Sequence, residues 1–106
     1  MSAITTKDDV TIDFGTTELT ELTGTLQHDN VNQTLVLLTD EGPERLSVNL
    51  LADGFISMPG NVFIKDWSEG EGLTARLEAA GLVKRVRQVI VGPFRSTAYE
   101  VEVTLR

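Results

Sequence analysis

TLVLLTDEGPERLSVNL, residues 34–50, decides the fold, because it contains two predicted strands joined by a tight turn. The run 35–38 is apolar at successive positions, which is typical of a central strand covered on both faces, or of one covered by a partner. The DEGP segment at 40–43 favours a turn, since glycine reaches positive φ at low cost and proline cannot donate to a β-ladder. In 45–50 every second residue is apolar, so Ser47 and Asn49 share the opposite face. From that face both could hydrogen-bond to the segment 65–69.

The chain before this stretch predicts one further strand and a weaker segment. Between residues 18 and 27, Leu22, Gly24 and Leu26 alternate with threonines, and HDNVN at 28–32 has the residues of a turn. Residues 1–17 contain few large apolar groups, so they are predicted to form a flexible arm or an edge strand. Together with 34–50, the pattern indicates an antiparallel meander of three strands.

After residue 50 the pattern changes from strand to loop and then to helix. Residues 51–61 contain two glycines and a proline, which predicts an ordered loop, and 62–67 is a short strand. Ser68 is the predicted N-cap, and Glu71 three residues later completes a capping box. Leu73 and Leu77 share one face of the helix that follows, and Gly81 stands where a left-handed C-terminal cap belongs.

The C-terminal part predicts a hairpin, with strands over 83–91 and 96–105 and a turn at 92–95. A four-residue loop sets a register that places Arg87 opposite Glu100 and Arg85 opposite Glu102. These charged residues then have a structural role in the strand pair.

The predicted order of elements is βββ-β-α-ββ, which lacks the repetition of a parallel α/β fold. It favours an α+β fold, in which one helix, about 69–80, packs on an antiparallel sheet of about five to six strands. A length of 106 residues and a hydrophobic fraction of 41% suit a single domain over residues 1–106.

The formal net charge of −7 is unevenly distributed along the chain. Residues 54–106 contain six acids and seven bases, a net charge of +1, whereas residues 1–53 have a net charge of −8. The acidic half contains Lys7, Arg45 and ten acids: Asp8, Asp9, Asp13, Glu18, Glu21, Asp29, Asp40, Glu41, Glu44 and Asp53. Such a field repels phosphate backbones and attracts basic surfaces, so we expect a protein partner with a basic surface and no direct nucleic-acid binding.

The residue types that most catalytic and metal sites need are scarce. No cysteine is present, and His28 is the only histidine, which excludes thiolate nucleophiles, sulfur-ligated zinc and multi-histidine metal sites. His28 falls in the predicted turn beside Asp29 and Asn30, where an exposed loop histidine is a simpler interpretation than a general base. We therefore expect no enzymatic activity, no cofactor and no metal.

The sequence also favours a cytoplasmic protein without a membrane partner. No apolar run approaches the roughly 18 residues of a membrane helix, and the N-terminal residues lack the apolar core of a secretory signal.

The acidic and glycine residues at the predicted helix start allow other interpretations. Glu69 and Glu71 could form an acid pair, but capping and the helix dipole explain them. Gly70 and Gly72 could cradle an anion, although the neighbouring carboxylates oppose phosphate and the spacing is not that of a P-loop. Asp66 could join these glutamates on a hard cation, but the spacing does not match a calcium loop.

Three aromatic residues are candidates for an interface. Trp67 and Phe63 are expected to pack over the helix and sheet, with an anchor on a binding surface as the alternative. Phe94 lies between Pro93 and Arg95 in a turn, where a phenylalanine is often exposed to solvent, so it is the strongest single candidate.

Residues 46–83 also carry a resemblance to a known family. LSVNL at 46–50, VFIKDWSEGEGL at 62–73 and LEAAGLV at 77–83 resemble a family of small bacterial domains of unknown function found on mobile elements, over about residues 34–83. The matching residues are Ser47, Asn49, Lys65, Asp66, Trp67, Ser68, Glu69, Glu71 and Gly72. The resemblance implies a phage, plasmid or integrated-element context and no particular activity.

These observations favour a small acidic protein-binding module of a phage or mobile element. In this hypothesis it is an anti-defence inhibitor, anti-CRISPR or anti-restriction, that occupies a basic nucleic-acid-binding surface. The predicted protein-binding residues are Phe94, Trp67, Asp40, Glu41, Glu44, Asp66 and Glu69. The alternatives are a structural or self-assembling accessory protein, in which a sheet edge pairs between copies to form a homo-oligomer, and an unrecognised hydrolase or isomerase with a concave polar pocket.

Overall fold

The computed structural model of the protein describes residues 4–13, 21–67 and 72–105. Within these ranges the chain forms eight strands, one α-helix and a 3-10 turn at Leu51–Asp53. The strands are β1 (Ile4–Asp13), β2 (Glu21–Asp29), β3 (Thr34–Thr39), β4 (Gly42–Arg45), β5 (Ser47–Val48), β6 (Asn61–Lys65), β7 (Val83–Val91) and β8 (Ser96–Val103). The helix is α1 (Leu73–Ala79).

The strands form two antiparallel sheets of four strands each. Sheet A has the order β1-β2-β3-β4, and sheet B has the order β5-β6-β8-β7. The α+β class is therefore confirmed, but the expectation of one sheet of five to six strands is too coarse. Two features raise the number of strands above the predicted one. β1 adds an edge strand at Ile4–Asp13, and the strand predicted over 45–50 divides at Leu46 into β4 and β5.

Leu46 is the point at which the chain passes from one sheet to the other. Its N–H donates to the Leu35 carbonyl at 2.9 Å, and the Leu35 N–H donates to the Ser47 Oγ at 2.9 Å. Ser47 is buried at this junction. Asn49 accepts the Leu51 N–H at 2.9 Å. Among the described residues, the side chains of Ser47 and Asn49 therefore hydrogen-bond to Leu35 and Leu51 rather than to 65–67, the described part of segment 65–69.

The main core lies between the inner faces of the two sheets, and α1 covers part of it. The helix packs against β1 of sheet A and against β6 and β7 of sheet B. The core side chains are Val10, Ile12, Leu26, Leu35, Leu37, Leu46, Val62, Ile64, Leu73, Leu77, Leu82, Val83 and Val101. Each such side chain, when fully buried, contributes about 1.5–3 kcal/mol through the hydrophobic effect.

The helix is shorter than the sequence predicts. Gly72 has φ of +84°, so no right-handed helix runs through it, and α1 begins at Leu73 rather than near residue 69. The predicted cap and capping-box residues Ser68 and Glu71 lie outside the described residues. The predicted end is confirmed: Gly81 has φ of +76°, and the Leu82 N–H donates to the Leu77 carbonyl at 3.0 Å, as in a left-handed C-terminal cap.

A β-bulge in β7 changes which residues face each core. The register is interrupted between Arg85 and Arg87, so Val86 is the extra residue. Before the bulge, Val83 faces the main core. After it, Arg87 pairs with Glu100 as predicted, whereas Arg85 lies opposite Val101 and not opposite Glu102. Arg85 pairs instead with Glu78 of α1, at 3.5 Å.

A second apolar cluster covers the outer face of sheet B. Phe63, Val89, Val91 and Ala98 of the sheet pack with Leu50, and Val48, Phe55 and Trp67 pack against them. The Phe55 and Phe63 rings meet edge to face, with centroids 6.4 Å apart. The loop predicted over 51–61 therefore lies over this face of the sheet, while its side chains Leu51, Ile56 and Met58 remain exposed.

Candidate protein-binding surfaces

The acidic residues of the N-terminal half lie together in the sheet A layer. Segments 4–13 and 21–45 contain eight acids against two bases, a formal net charge of −6. The acids are Asp8, Asp9, Asp13, Glu21, Asp29, Asp40, Glu41 and Glu44, and all but the half-buried Asp29 are exposed. The rest of the described chain, 46–67 and 72–105, contains five acids and six bases. The charge asymmetry along the sequence is thus an asymmetry between the two layers of the fold.

Asp40, Glu41 and Glu44 lie at one end of sheet A, in the turn between β3 and β4 and on the edge strand β4. The turn is fixed by Thr39, whose hydroxyl donates to the Gly42 carbonyl at 2.8 Å and accepts the Glu41 N–H at 3.1 Å. The three carboxylates are therefore presented to solvent from an ordered backbone, as a binding role would require.

The two predicted aromatic contacts come together on the other layer. Phe94 is 90% exposed at the tip of the β7–β8 hairpin, so its predicted exposure is confirmed. Trp67 is half-buried against the second apolar cluster, with the Lys65 Nζ 5.2 Å from its ring centroid. Both rings line a groove of about 260 Å³ that also contains Val48, Leu50 and Val91. We call this feature the aromatic groove.

Asp66 has a structural role that the sequence did not indicate. Its Oδ1 accepts the Gly72 N–H at 2.8 Å and its Oδ2 accepts the Thr74 N–H at 3.1 Å. Asp66 thus satisfies backbone donors at the start of α1, the task predicted for Ser68. Glu69, also predicted as a contact residue, lies outside the described residues.

Replacing Asp66 with alanine is expected to destabilise the fold by about 1–2 kcal/mol, because two backbone donors at the helix start lose their acceptor. Urea denaturation of the variant measures the change. Asp53→Ala is the matched control, since Asp53 is an exposed carboxylate and is expected to change stability by less than about 0.5 kcal/mol. Equal stability of the two variants would contradict the capping role.

His28 is buried, which corrects its prediction as an exposed turn residue. It lies within β2 on the inner face of sheet A and is only 7% exposed, and its Nε2 has no hydrogen-bond partner among the residues that the structure describes. Burial lowers the pKa of His28 below its ordinary value of 6.5, although the neighbouring Asp29 carboxylate opposes the shift. The turn chemistry begins one residue later: Asp29 accepts the N–H groups of Val31 and Asn32.

Burial of His28 predicts a pH dependence of stability. Because its pKa is lower in the folded chain than the 6.5 of the unfolded chain, its contribution is fully present above about pH 6.5 and is lost as the pH falls through the lowered pKa. The free energy of unfolding, measured by denaturant titration, should therefore decrease as the pH falls below about 6.5, and His28→Leu should remove that decrease. If the free energy of unfolding of His28→Leu depended on pH as it does in the wild type, His28 would not be the group responsible.

Glu100 is the residue whose importance sequence reasoning missed. Its pairing with Arg87 was predicted, but the residue is only 1% exposed and its side chain also holds the loop over sheet B. Its Oε2 accepts the Met58 N–H at 3.0 Å and the Asn61 Nδ2 at 2.8 Å, while its Oε1 accepts the Arg87 Nε at 2.6 Å. These three hydrogen bonds join β8 to β7, to β6 and to the loop before β6, so the role of this carboxylate is structural.

Two structural observations concern metals and membranes. Among the described residues, no three His, Asp or Glu side chains converge to hold a metal ion. Over the same ranges, no helix is long and apolar enough to cross a membrane.

Comparison of the chain with protein-family models, with curated proteins and with solved structures finds no match. The resemblance of residues 46–83 to a family of mobile elements therefore stays a prediction.

Proposed function

We propose that this protein is a non-enzymatic protein-binding module whose sheet A layer binds a basic surface of another protein. The observation that carries the proposal is the net charge of −6 on segments 4–13 and 21–45, which form one layer of the fold. A concentrated field of one sign steers association with a surface of the opposite sign.

The basic surfaces that match such a layer best are those that bind nucleic acids. A nucleic-acid-binding groove gathers lysine and arginine to neutralise phosphates, and a row of carboxylates satisfies the same side chains. The bound protein then acts as an inhibitor by occupying the groove. The resemblance of residues 46–83 to domains of mobile elements supports a host defence enzyme, such as a CRISPR effector or a restriction enzyme, as the target.

We expect three carboxylates to contribute most to binding of the basic surface: Asp40, Glu41 and Glu44. They lie on an ordered turn and an edge strand, so binding orders no additional backbone there. Asp66 is not part of this surface, because it caps α1.

The proposal is tested by affinity capture from bacterial lysate at low salt, with the wild type compared with the triple variant Asp40→Asn, Glu41→Gln, Glu44→Gln. We expect basic nucleic-acid enzymes among the captured proteins, in amounts that fall about tenfold for the triple variant. A double variant, Asp53→Asn with Glu102→Gln, removes exposed carboxylates of the other layer and should capture normally. Recovery of no such enzyme, or equal losses in both variants, would contradict the proposal.

A further inference from the structure

The charge of each layer determines which face of the protein can meet a second copy of the chain. Segments 4–13 and 21–45, which form sheet A, have a formal net charge of −6, so two such layers repel each other. The other described segments, 46–67 and 72–105, contain five acids and six bases and meet no such repulsion. Electrostatics therefore allows two copies to associate through sheet B more readily than through sheet A.

Large apolar side chains are exposed on and beside the outer face of sheet B. Phe94 is 90% exposed at the tip of the β7–β8 hairpin. The loop that lies over this face leaves three further apolar side chains exposed: Leu51, Ile56 and Met58. Exposed apolar groups that lie together in this way mark interaction surfaces.

The aromatic groove has the size and lining of a receptor for one apolar side chain. Its volume of about 260 Å³ is below the roughly 300–1,000 Å³ of pockets that bind drug-sized molecules. Val48, Leu50 and Val91 contribute apolar lining. Among the described residues that line the groove, Asp53 is the only charged one, and it is exposed. The groove therefore best fits an apolar side chain that is accompanied by a cation.

The β7–β8 hairpin tip of the same protein carries that pair of groups. Phe94 is followed by Arg95, and both residues are exposed. The turn is ordered, since the Arg95 N–H donates to the Gly92 carbonyl at 3.3 Å. Phe94 lines its own groove but does not fill it, because 90% of the residue remains exposed. The tip can therefore enter the groove of a second copy without the ordering of additional backbone.

We infer that two copies of this protein form a symmetric dimer, in which Phe94 of each copy inserts into the aromatic groove of the other. Insertion brings Arg95 of each copy to the groove rim that contains Asp53 of the other copy. Such a contact uses the same surface twice and closes at two copies. The inference goes beyond the proposed function, because it concerns the opposite layer and leaves both sheet A layers exposed.

The first test is sedimentation velocity of the folded wild type over a series of concentrations. We expect the dimer fraction to rise with concentration, and Phe94→Ser to raise the dissociation constant about tenfold or more, because it removes the inserted ring. Val31→Ser is the matched control, since Val31 is an apolar residue beside sheet A that is 76% exposed, and it should dimerise as the wild type does. Circular dichroism checks that both variants are folded.

The second test exchanges the charges of the proposed contact. Asp53→Arg places two arginines at each contact, and Arg95→Asp places two aspartates there, so each variant alone should dimerise about tenfold more weakly. When the two variants are mixed, each of the two contacts again pairs an arginine with an aspartate. We therefore expect the mixture to form a dimer with an affinity close to that of the wild type.

Several results would overturn the inference. A wild type that stays monomeric at its highest soluble concentration would remove the second copy as the occupant of the groove. A dimer that Phe94→Ser leaves unchanged would place the contact elsewhere, for example at a sheet edge. A mixture of Asp53→Arg with Arg95→Asp that dimerises no better than either variant alone would exclude the charge pairing. Phe94-dependent binding of a monomer to phosphatidylglycerol vesicles would identify a lipid surface as the occupant.

Discussion

Gly24→Ala is expected to destabilise the protein by about 3 kcal/mol or more, the largest effect of an alanine substitution at any described glycine. A Cβ built on Gly24 would lie 2.0 Å from the Leu38 carbonyl oxygen and 2.7 Å from its carbon. These are backbone atoms of β3, so no side chain can move to make room. The β2–β3 pairing at the centre of sheet A would have to separate. Urea denaturation measures the loss.

The matched control for Gly24 is Gly92→Ala. Gly92 has φ of +72° in the β7–β8 turn, but a Cβ there would have no atom of the other described residues within 4 Å, apart from its two chain neighbours. The only cost is that alanine disfavours the left-handed backbone conformation, and we expect the free energy of unfolding to fall by about 1–2 kcal/mol. If Gly24→Ala were no more destabilising than Gly92→Ala, the close approach of β2 and β3 would be wrong.

Glu100→Gln is expected to cost about 2–4 kcal/mol, although the substitution preserves shape. Three donors point at the two carboxylate oxygens: the N–H of Met58, the Nδ2 of Asn61 and the Nε of Arg87. A glutamine has one oxygen, so its NH₂ group must face at least one of these donors. The loop over sheet B loses an anchor, and Arg87 loses its partner.

The pH dependence of stability distinguishes the contribution of the Glu100 charge from that of its packing. Burial alone would raise the pKa of Glu100, but the hydrogen bonds from Asn61, Met58 and Arg87 outweigh it and hold the pKa below its ordinary value of 4.5. Its stabilisation is therefore present above about pH 4.5 and is lost as the pH falls through the lowered pKa. Glu100→Gln should show a shallower loss in this window. Glu102→Gln, which changes an exposed carboxylate of the same strand, should match the wild type; a steep loss retained in Glu100→Gln would contradict the account.

The sequence predicted those elements that are determined by residues close to one another in the chain. The bounds of β3 and of the turn at 92–95 follow from apolar runs and Gly-Pro punctuation, and the end of α1 follows from Gly81. The exposure of Phe94 was predictable for the same reason, since a side chain at a hairpin tip has few neighbours. Each of these predictions depends on short-range geometry.

Features that depend on distant contacts were not predictable. The division of the 45–50 strand at Leu46 requires β3 and β6 to be in place on either side. The bulge at Val86 could not be predicted, because the residues around it alternate between polar and apolar in a way that suits either register. His28 is followed by turn residues, and only the β1–β2 and β2–β3 pairings show that the strand continues through it.

One candidate surface could be predicted from the sequence and the other could not. The acidic excess was evident from composition, and its confinement to one layer follows once residues 4–13 and 21–45 form sheet A. The aromatic groove combines residues from 48 to 96, so no local pattern could indicate it. Asp66 was an attractive contact residue by charge, but its distance along the chain from Gly72 concealed its role as a cap.

The most direct measurement of the central claim is competition with DNA on a captured basic enzyme. Fluorescence anisotropy follows labelled duplex DNA bound to that enzyme while the protein is added. We predict that the wild type releases the DNA, that the Asp40→Asn, Glu41→Gln, Glu44→Gln variant needs about tenfold more protein for the same release, and that added salt weakens both. Simultaneous binding of DNA and protein to the enzyme would contradict the claim that sheet A occupies its nucleic-acid-binding surface.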